Sequence, residues 1–458
     1  MERLNKQQYR ASRAEGGVSL VIAGAGTGKT RTLVEKVRNV MRDPSLEGAE
    51  FLVLTFSRKA AAELRERIGG TSRVTAGTFH SFCLGLLRDN ADILAGMRGV
   101  AGFPGVIDDE ERTSIIRSLA RVDLRRFRGL PARMACEFLD RLDSFDPSER
   151  ERLEAAGLRG ELDLLREEFI AFKREQNLID YGDMIDLATA MLDQHHGVRE
   201  ALHARYRFVF VDEFQDVAPD NVRLLKLILP EGGGNLFAVG DDWQSIYGFR
   251  GASVDYIVRM RRHFPGSRVH RLTVNYRSRR EIVTLSNGFI RNNRFRTRKR
   301  LRSHPGRGGR VRLHAVETPE EEAGIVRGVL ASGSPGRTLA VLYRNNWQGR
   351  FLERLCGPGG ECPGVHFMTM HASKGLEFDV VVVAGVADSI IPDPDNDIEE
   401  ERRLLYVACT RAREELHVIA RLNERGEVSR FGRELGLIRS PGFPRNRRRV
   451  QVSNPPTG

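Results

Sequence analysis

The sequence predicts an α/β protein with two parallel sheets, each covered on both faces by helices. Short, nearly continuous apolar runs recur along the chain, among them SLVIAGA (19–25), FLVLTF (51–56), RFVFVDE (207–213) and LFAVGD (236–241). Further runs are TLAVLYR (338–344), FMTMHAS (367–373), DVVVVAGV (379–386) and LHVIA (416–420). Most lead into a loop and a helical pattern, the alternation expected of strands buried on both faces. The strands fall into two sets, one ending near residue 270 and the other running from about 271 to 420.

A chain of 458 residues has room for three or four domains at about 100–200 residues each. Apolar residues make up 40% and charged residues 29%, a globular balance with sizeable cores. The net charge of +12 suits a polyanionic partner, or simply solubility. The five cysteines (Cys83, Cys136, Cys356, Cys362 and Cys409) form no CxxC pair and no zinc-spaced cluster. Free thiols in a reducing cytoplasm are therefore expected, although Cys356 and Cys362 are near enough in sequence to pair. The longest apolar run, VVVVAGVA (380–387), is far too short to cross a bilayer, and VSLVIAGAG lacks a fitting cleavage site. A cytoplasmic protein without membrane contact is the expectation.

The first strand opens AGAGTGKT (23–30), followed by the helical TRTLVEKVRNV. The small residues Ala23, Gly24, Ala25, Gly26, Thr27 and Gly28 let backbone N–H groups curl around phosphates. Lys29 then reaches the β- and γ-phosphates, and the Thr30 hydroxyl ligates Mg²⁺. The helix N-terminus adds its positive dipole end. Ala23 stands where the strict pattern has glycine.

Between the second and third strands of the first set, residues 89–200 read as a charged helical insertion, as in ERTSIIRSLARV and ELDLLREEFIAFKREQNLI. Next, RFVFVDEFQD (207–216) puts Asp212 and Glu213 at the carboxyl end of a buried strand, the edge where ligands sit in such sheets. Asp212 suits a Mg²⁺ held through water, and Glu213 can polarise the water that attacks a γ-phosphate.

The stretch GDDWQSIYGFRG (240–251) joins carboxylates to flat rings. Gln244 is within reach of a γ-phosphate or the attacking water. Tyr247, Phe249 and Arg250 offer sequence-blind stacking for bases, worth about 1–3 kcal/mol per ring. The rings can equally pack beneath the loop, which is the expected outcome for Trp243. Residues 291–312 hold ten Lys/Arg and no acid, and the tail 436–458 is basic and Pro/Arg-rich, expected to be poorly ordered.

In this order the motifs resemble the Rep/UvrD-like superfamily 1 DNA helicases over roughly residues 4–420. The resemblance is carried by LNKQQ (4–8), AGAGTGKT, VLTFSRKAAAELRERI (53–68), AGTFHSFCLGLLR (76–88), DEFQD (212–216) and GDDWQSIYGFRGA (240–252). It continues through LTVNYRS (272–278), TMHASKGLEFDVVVVAG (369–385) and EEERRLLYVACTRAREEL (399–416). It implies two RecA-like P-loop NTPase domains, with ATP and Mg²⁺ between them and single-stranded DNA across their tops. Residues 1–88 and 201–270 would form the first domain around the insertion 89–200, and residues 271–435 the second.

By the same resemblance Gln8 reads adenine, Tyr276 stacks on it, Arg31 lines its pocket and Glu377 takes the ribose. Arg277 and Arg411 point across the cleft at the γ-phosphate. The implied DNA track takes Phe56, Phe79, His80, Tyr247, Phe249, Arg250, His371, Ser373 and Lys374, although each ring taken singly is as compatible with a core. The implied travel is 3′ to 5′.

The chain departs from that pattern between AVLYRNN (340–346) and FMTMHAS, where only residues 347–366 stand in place of a large accessory insertion. Duplex separation is then expected to call on a partner, a multimer or the insertion 89–200. A motor subunit of a repair, conjugation or anti-phage defence complex is one alternative. A catalytically idle ATP-gated scaffold is the other, disfavoured because the Lys, Glu and Arg that a decayed motor loses are all present.

Overall fold

The computed structural model describes residues 3–122, 135, 139, 153–155, 157–232, 234–332, 336–356 and 364–437. It holds two large parallel sheets. The first has six strands: β1 (Val18–Ala23), β2 (Glu50–Thr55), β3 (Val74–Thr78), β4 (Tyr206–Val211), β5 (Leu236–Gly240) and β6 (Arg268–Leu272), in the order β3-β2-β4-β5-β1-β6. Side chains alternate across each strand. Leu20 and Ile22 thus enter one core with Leu52, Leu54, Val209 and Val211, while Val21, Val53, Phe210 and Phe237 enter another with Leu33 and Val37. Burial on both faces accounts for the unbroken apolar runs.

The second sheet has five strands: β7 (Arg310–Val316), β8 (Leu339–Tyr343), β9 (Val365–Thr369), β10 (Phe378–Val386) and β11 (Ala412–Arg421), ordered β7-β11-β10-β8-β9. Val381, Val383, Leu416 and Val418 pack beneath the helix Ile398–Cys409, while Val380, Val382 and Ile419 face the opposite core. β6 runs past residue 270, so the first sheet closes with Leu272, which pairs with Ala23.

The span 89–200 is divided in the structure. Ile107, Ile116, Leu162, Leu165 and Phe169 form a small core of their own. Helix Tyr181–Gln194 instead sends Met184, Ile185, Ala188, Met191 and Leu192 into the first sheet's core. It does so because its apolar side faces Leu86 and Leu225 on neighbouring helices. Residues 123–134 of the insertion and most of the tail 436–458 lie outside the described residues, as do Cys136 and Cys362.

Because every paired strand of both large sheets is parallel, the carboxyl ends of each sheet's strands gather at one edge. No described helix is long and apolar enough to cross a membrane.

Candidate nucleotide cleft

The glycine-rich loop leaves the end of β1 and helix Lys29–Met41 begins at once. Gly26 and Gly28 have φ of +65° and +79°, the left-handed region that favours glycine. A Cβ on Gly26 would lie 2.6 Å from Arg277 Cβ, and one on Gly28 would lie 2.6 Å from Gln8 Nε2. The loop is therefore packed from two sides. Asn275 donates from Nδ2 to the Ala25 carbonyl (2.8 Å), and Gln8 donates from Nε2 to that of Thr27 (3.0 Å). Ala23 and Ala25 are buried and form its floor.

Beside the loop, β4 ends in Asp212 and Glu213. The Thr30 hydroxyl donates to Asp212 Oδ2 (3.2 Å), and Lys29 Nζ stands 3.3 Å from Glu213 Oε2. Glu213 has φ +54°, uncommon for a residue with a Cβ, and Gln215 Nε2 donates to its carboxylate (2.7 Å). Burial pushes the Asp212 carboxyl up to about 7, aided by the charge of Glu213 and opposed by Lys29. Burial works on Glu213 in the same direction, but Lys29 and then Lys374 outweigh it and hold that group at about 2.

Residues of the second sheet's loops and helices face this edge. Together they line a cleft of about 720 Å³ whose walls include Gly24, Lys29, Thr30, Arg31, Glu213, Gln244, Arg277, Glu377 and Arg411. Arg411 is buried and donates from Nη2 to Gln244 Oε1 (3.0 Å) and from Nε to the Val407 carbonyl (2.9 Å). Burial, then the neighbouring Arg277, lower its guanidinium to about 9, still charged at neutral pH. Arg277 donates from Nε to Glu377 Oε2 (2.6 Å), so Glu377 faces an arginine within its own unit. Tyr276 accepts from Asn5 Nδ2 at its hydroxyl (2.7 Å) and packs 4.8 Å from the His304 ring, beside Gln8 and the glycine-rich loop. The Gln8 amide is spent on protein, its Oε1 accepting from the Asn5 N–H.

The expected DNA track is only partly assembled. Phe249 is 44% exposed, edge-on to His371 at 5.6 Å and to Tyr247 at 6.0 Å, with Arg250 over both Phe249 and Tyr247. Phe79 departs from the expectation. It is 1% exposed and packs 5.2 Å from Phe56, because it begins a helix whose apolar side closes the first core. Ser373 is likewise buried, its hydroxyl donating to the Met370 carbonyl (2.6 Å), so it caps its own turn. Lys374 reaches into the cleft, donating to Asp216 Oδ2 (2.5 Å) and to the Gln244 carbonyl (3.0 Å). Phe56 also lines the cleft, and His80 stands edge-on to Tyr181 at 5.5 Å.

Trp243 packs as expected, but in an unexpected place. With Ile246 it enters the core of the second unit, edge-on to Tyr406 at 5.7 Å, although both follow a strand of the first sheet. Sequence reasoning also missed Asn275, which fixes the loop, and Lys299, whose side chain is 0% exposed between Asp241 and Asp242. Nothing in composition separates Lys299 from the nine arginines between residues 291 and 312.

Residues 4–265 match the UvrD/REP helicase N-terminal domain and residues 360–423 the UvrD-like helicase C-terminal domain. Among curated proteins, the ATP-dependent DNA helicase Rep of Salmonella typhimurium is 30% identical over 369 residues, 77% of this chain and 53% of that protein. The ATP-dependent DNA helicase UvrD1 of Mycobacterium tuberculosis is 30% identical over 383 residues, 78% of this chain and 48% of that protein. PcrA of Staphylococcus aureus, another ATP-dependent DNA helicase, is 28% identical over 370 residues, 77% and 49%. The chain thus spans about half the length of these relatives. With two parallel sheets meeting at the glycine-rich loop, and a family model covering more than half of its residues, the chain belongs to the UvrD/Rep helicase family.

Proposed function

We propose that this protein is an ATP-driven motor that moves along single-stranded DNA, 3′ to 5′, and hydrolyses ATP in the cleft between its two units. The carrying observation is that Lys29 and Glu213 share one cleft with Arg277 and Arg411 from the facing unit. An arginine supplied across such a cleft stabilises transferring charge, worth about 10³-fold or more in rate.

Lys29 and the loop N–H groups take the phosphates. Water attacks the γ-phosphorus, the bond to the β–γ bridging oxygen breaks, and ADP and phosphate leave. Glu213 orients this water as a carboxylate, and the proton the water gives up ends on the phosphate that leaves. When Lys29 exchanges Glu213 for phosphate oxygens, the carboxylate is freed to face the water. Arg411, held by Gln244, and Arg277, held by Glu377, neutralise the developing charge. The Thr30 hydroxyl and Asp212 fit a Mg²⁺, because a buried carboxyl pushed up to about 7 is short of positive charge. Bound there, the ion would polarise phosphate oxygens. With two protein ligands only, such an ion would take its remaining ligands from phosphate and water.

The link to DNA runs through residues 241–250, which touch the cleft at Gln244 and present Phe249 outside it. Closing and opening of the cleft would alternate each unit's grip on the strand. Measured ATP hydrolysis should rise with single-stranded DNA and disappear in Glu213→Gln. A rate indifferent to DNA sinks the motor reading. A second reading, a motor subunit of a larger repair or defence assembly, is favoured by the connection between β8 and β9. It provides only helix Asn346–Cys356 and a few further residues where the accessory insertion is expected. Strand displacement on 3′- and 5′-tailed duplexes separates the two, since a dependent subunit translocates yet fails to displace.

A further inference from the structure

Lys299 sits in the most basic stretch of the chain, yet its side chain has no solvent exposure. Its ammonium donates to Asp241 Oδ1 (2.5 Å) and Asp242 Oδ1 (2.7 Å), and lies 4.6 Å from the centre of the Trp243 ring. The Thr297 N–H and hydroxyl also donate to Asp242, at 2.7 and 2.6 Å. Asp241 and Asp242 follow β5, whereas the segment carrying Lys299 runs directly into residues 302–303, which pair with 274–275 beyond the first sheet. The ion pair therefore joins the two units. Desolvation cancels much of what so buried a pair contributes to stability, so stability alone is a weak reason for it.

The pair does determine the next contact. Asp241 Oδ1 accepts from Lys299 and from the Trp243 N–H, and Asp241 Oδ2 accepts from Gln244 Nε2. A carboxylate with a cation at one oxygen only accepts, so it draws the NH₂ end of the Gln244 amide toward itself. The amide oxygen then turns to Arg411, a group that only donates, at 3.0 Å. We propose that Lys299 is a positioning residue for nucleotide hydrolysis, acting through Asp241 to hold the Gln244 amide so that its oxygen carries Arg411 in the cleft. The inference rests on the hydrolysis reading above. Without Lys299, Asp241 Oδ1 loses the ammonium hydrogen-bonded to it and the tie to the facing unit, so the carboxylate no longer fixes which end of the Gln244 amide turns to Arg411.

The test is a mutant cycle on the full chain, reading kcat and KM for ATP with saturating single-stranded DNA. Lys299→Met and Asp241→Asn are each made alone and with Gln244→Ala, and the unfolding midpoint is recorded for each. Lys299→Met should lower kcat by on the order of 10–100-fold, the scale of a misplaced group, with KM little changed. Added to Gln244→Ala it should cost almost nothing more, since both changes disable one unit. Asp241→Asn keeps the volume and should behave alike, and it carries the test if Lys299→Met does not fold. Wild-type kcat in either folded single variant, or losses that multiply in the double variants, overturns the proposal. An inactive wild type sinks the hydrolysis reading first, whereas an active wild type with an equally active Lys299→Met removes this inference alone.

Discussion

The cleft and the ring-bearing face beside it are built from adjacent loops, but they obey different rules. In the cleft, charged groups singled out from sequence meet an opposite charge or a directed hydrogen bond: Lys29 with Glu213, Asp212 with Thr30, Arg411 with Gln244, Arg277 with Glu377. On the face the rings divide, with Phe249 exposed and Phe79 in the core. Charge must be compensated when it is buried, so strand-end charges announce a shared site. A ring is satisfied by any apolar contact, so its sequence position says little about which contact it makes.

The largest effect expected from this contrast lies in the cleft. Glu213→Gln or Lys29→Ala should lower DNA-stimulated ATP hydrolysis by at least about 10³-fold, while leaving DNA binding by the nucleotide-free protein within about twofold. Steady-state phosphate release and fluorescence anisotropy measure the two. Loss of both together would mean that the cleft and the face are not separable.

Next in size is the contrast between two phenylalanines. Phe79→Ala should destabilise the protein by about 3–5 kcal/mol, the cost of an emptied core site. Phe249→Ala should leave the unfolding midpoint nearly unchanged and weaken single-strand binding by about 1–3 kcal/mol. Chemical denaturation and anisotropy titrations distinguish them, and interchanged outcomes would reverse the assignment of the face.

These differences also explain what was legible. Both sheets could be read because burial on two faces leaves unbroken apolar runs such as 380–387. The glycine-rich loop was legible because its spacing reflects positive φ at Gly26 and Gly28. Lys299 was not, because its burial depends on two aspartates more than fifty residues away and leaves no local trace. Trp243 gave half its meaning. Its burial was expected, but that it packs in the facing unit's core is a tertiary fact. Helix Tyr181–Gln194 looked like part of an insertion because its neighbours are charged, and only its packing on the first sheet returns it there.

The smallest expected effect separates the two regions by pH. Asp212 has its carboxyl raised to about 7, chiefly by burial, so it is progressively protonated as pH falls through that value. If Asp212 holds Mg²⁺ as proposed, protonation would remove that ligand, and at limiting Mg²⁺ hydrolysis should decline from pH 8 to pH 6, by at most about tenfold per pH unit for one group. The stability linkage has the opposite sense. Without a divalent cation, a carboxyl raised in the folded state contributes stability at low pH that is lost as pH rises from about 4 toward 7, and bound Mg²⁺ should restore it. On the ring-bearing face, His371 is lowered to about 4 by burial and then by Arg344, Lys374 and Arg250, so it stays neutral throughout this range. Single-strand binding without nucleotide should accordingly be flat from pH 7 to 8, above the Asp216 carboxyl beside Lys374 that burial raises to about 6. Hydrolysis profiles at two Mg²⁺ concentrations, set against binding at the same pH values, check both halves. A hydrolysis profile that Mg²⁺ does not shift would remove Asp212 as the titrating group, and a binding curve that falls across pH 7 to 8 would place a titrating group on the face instead.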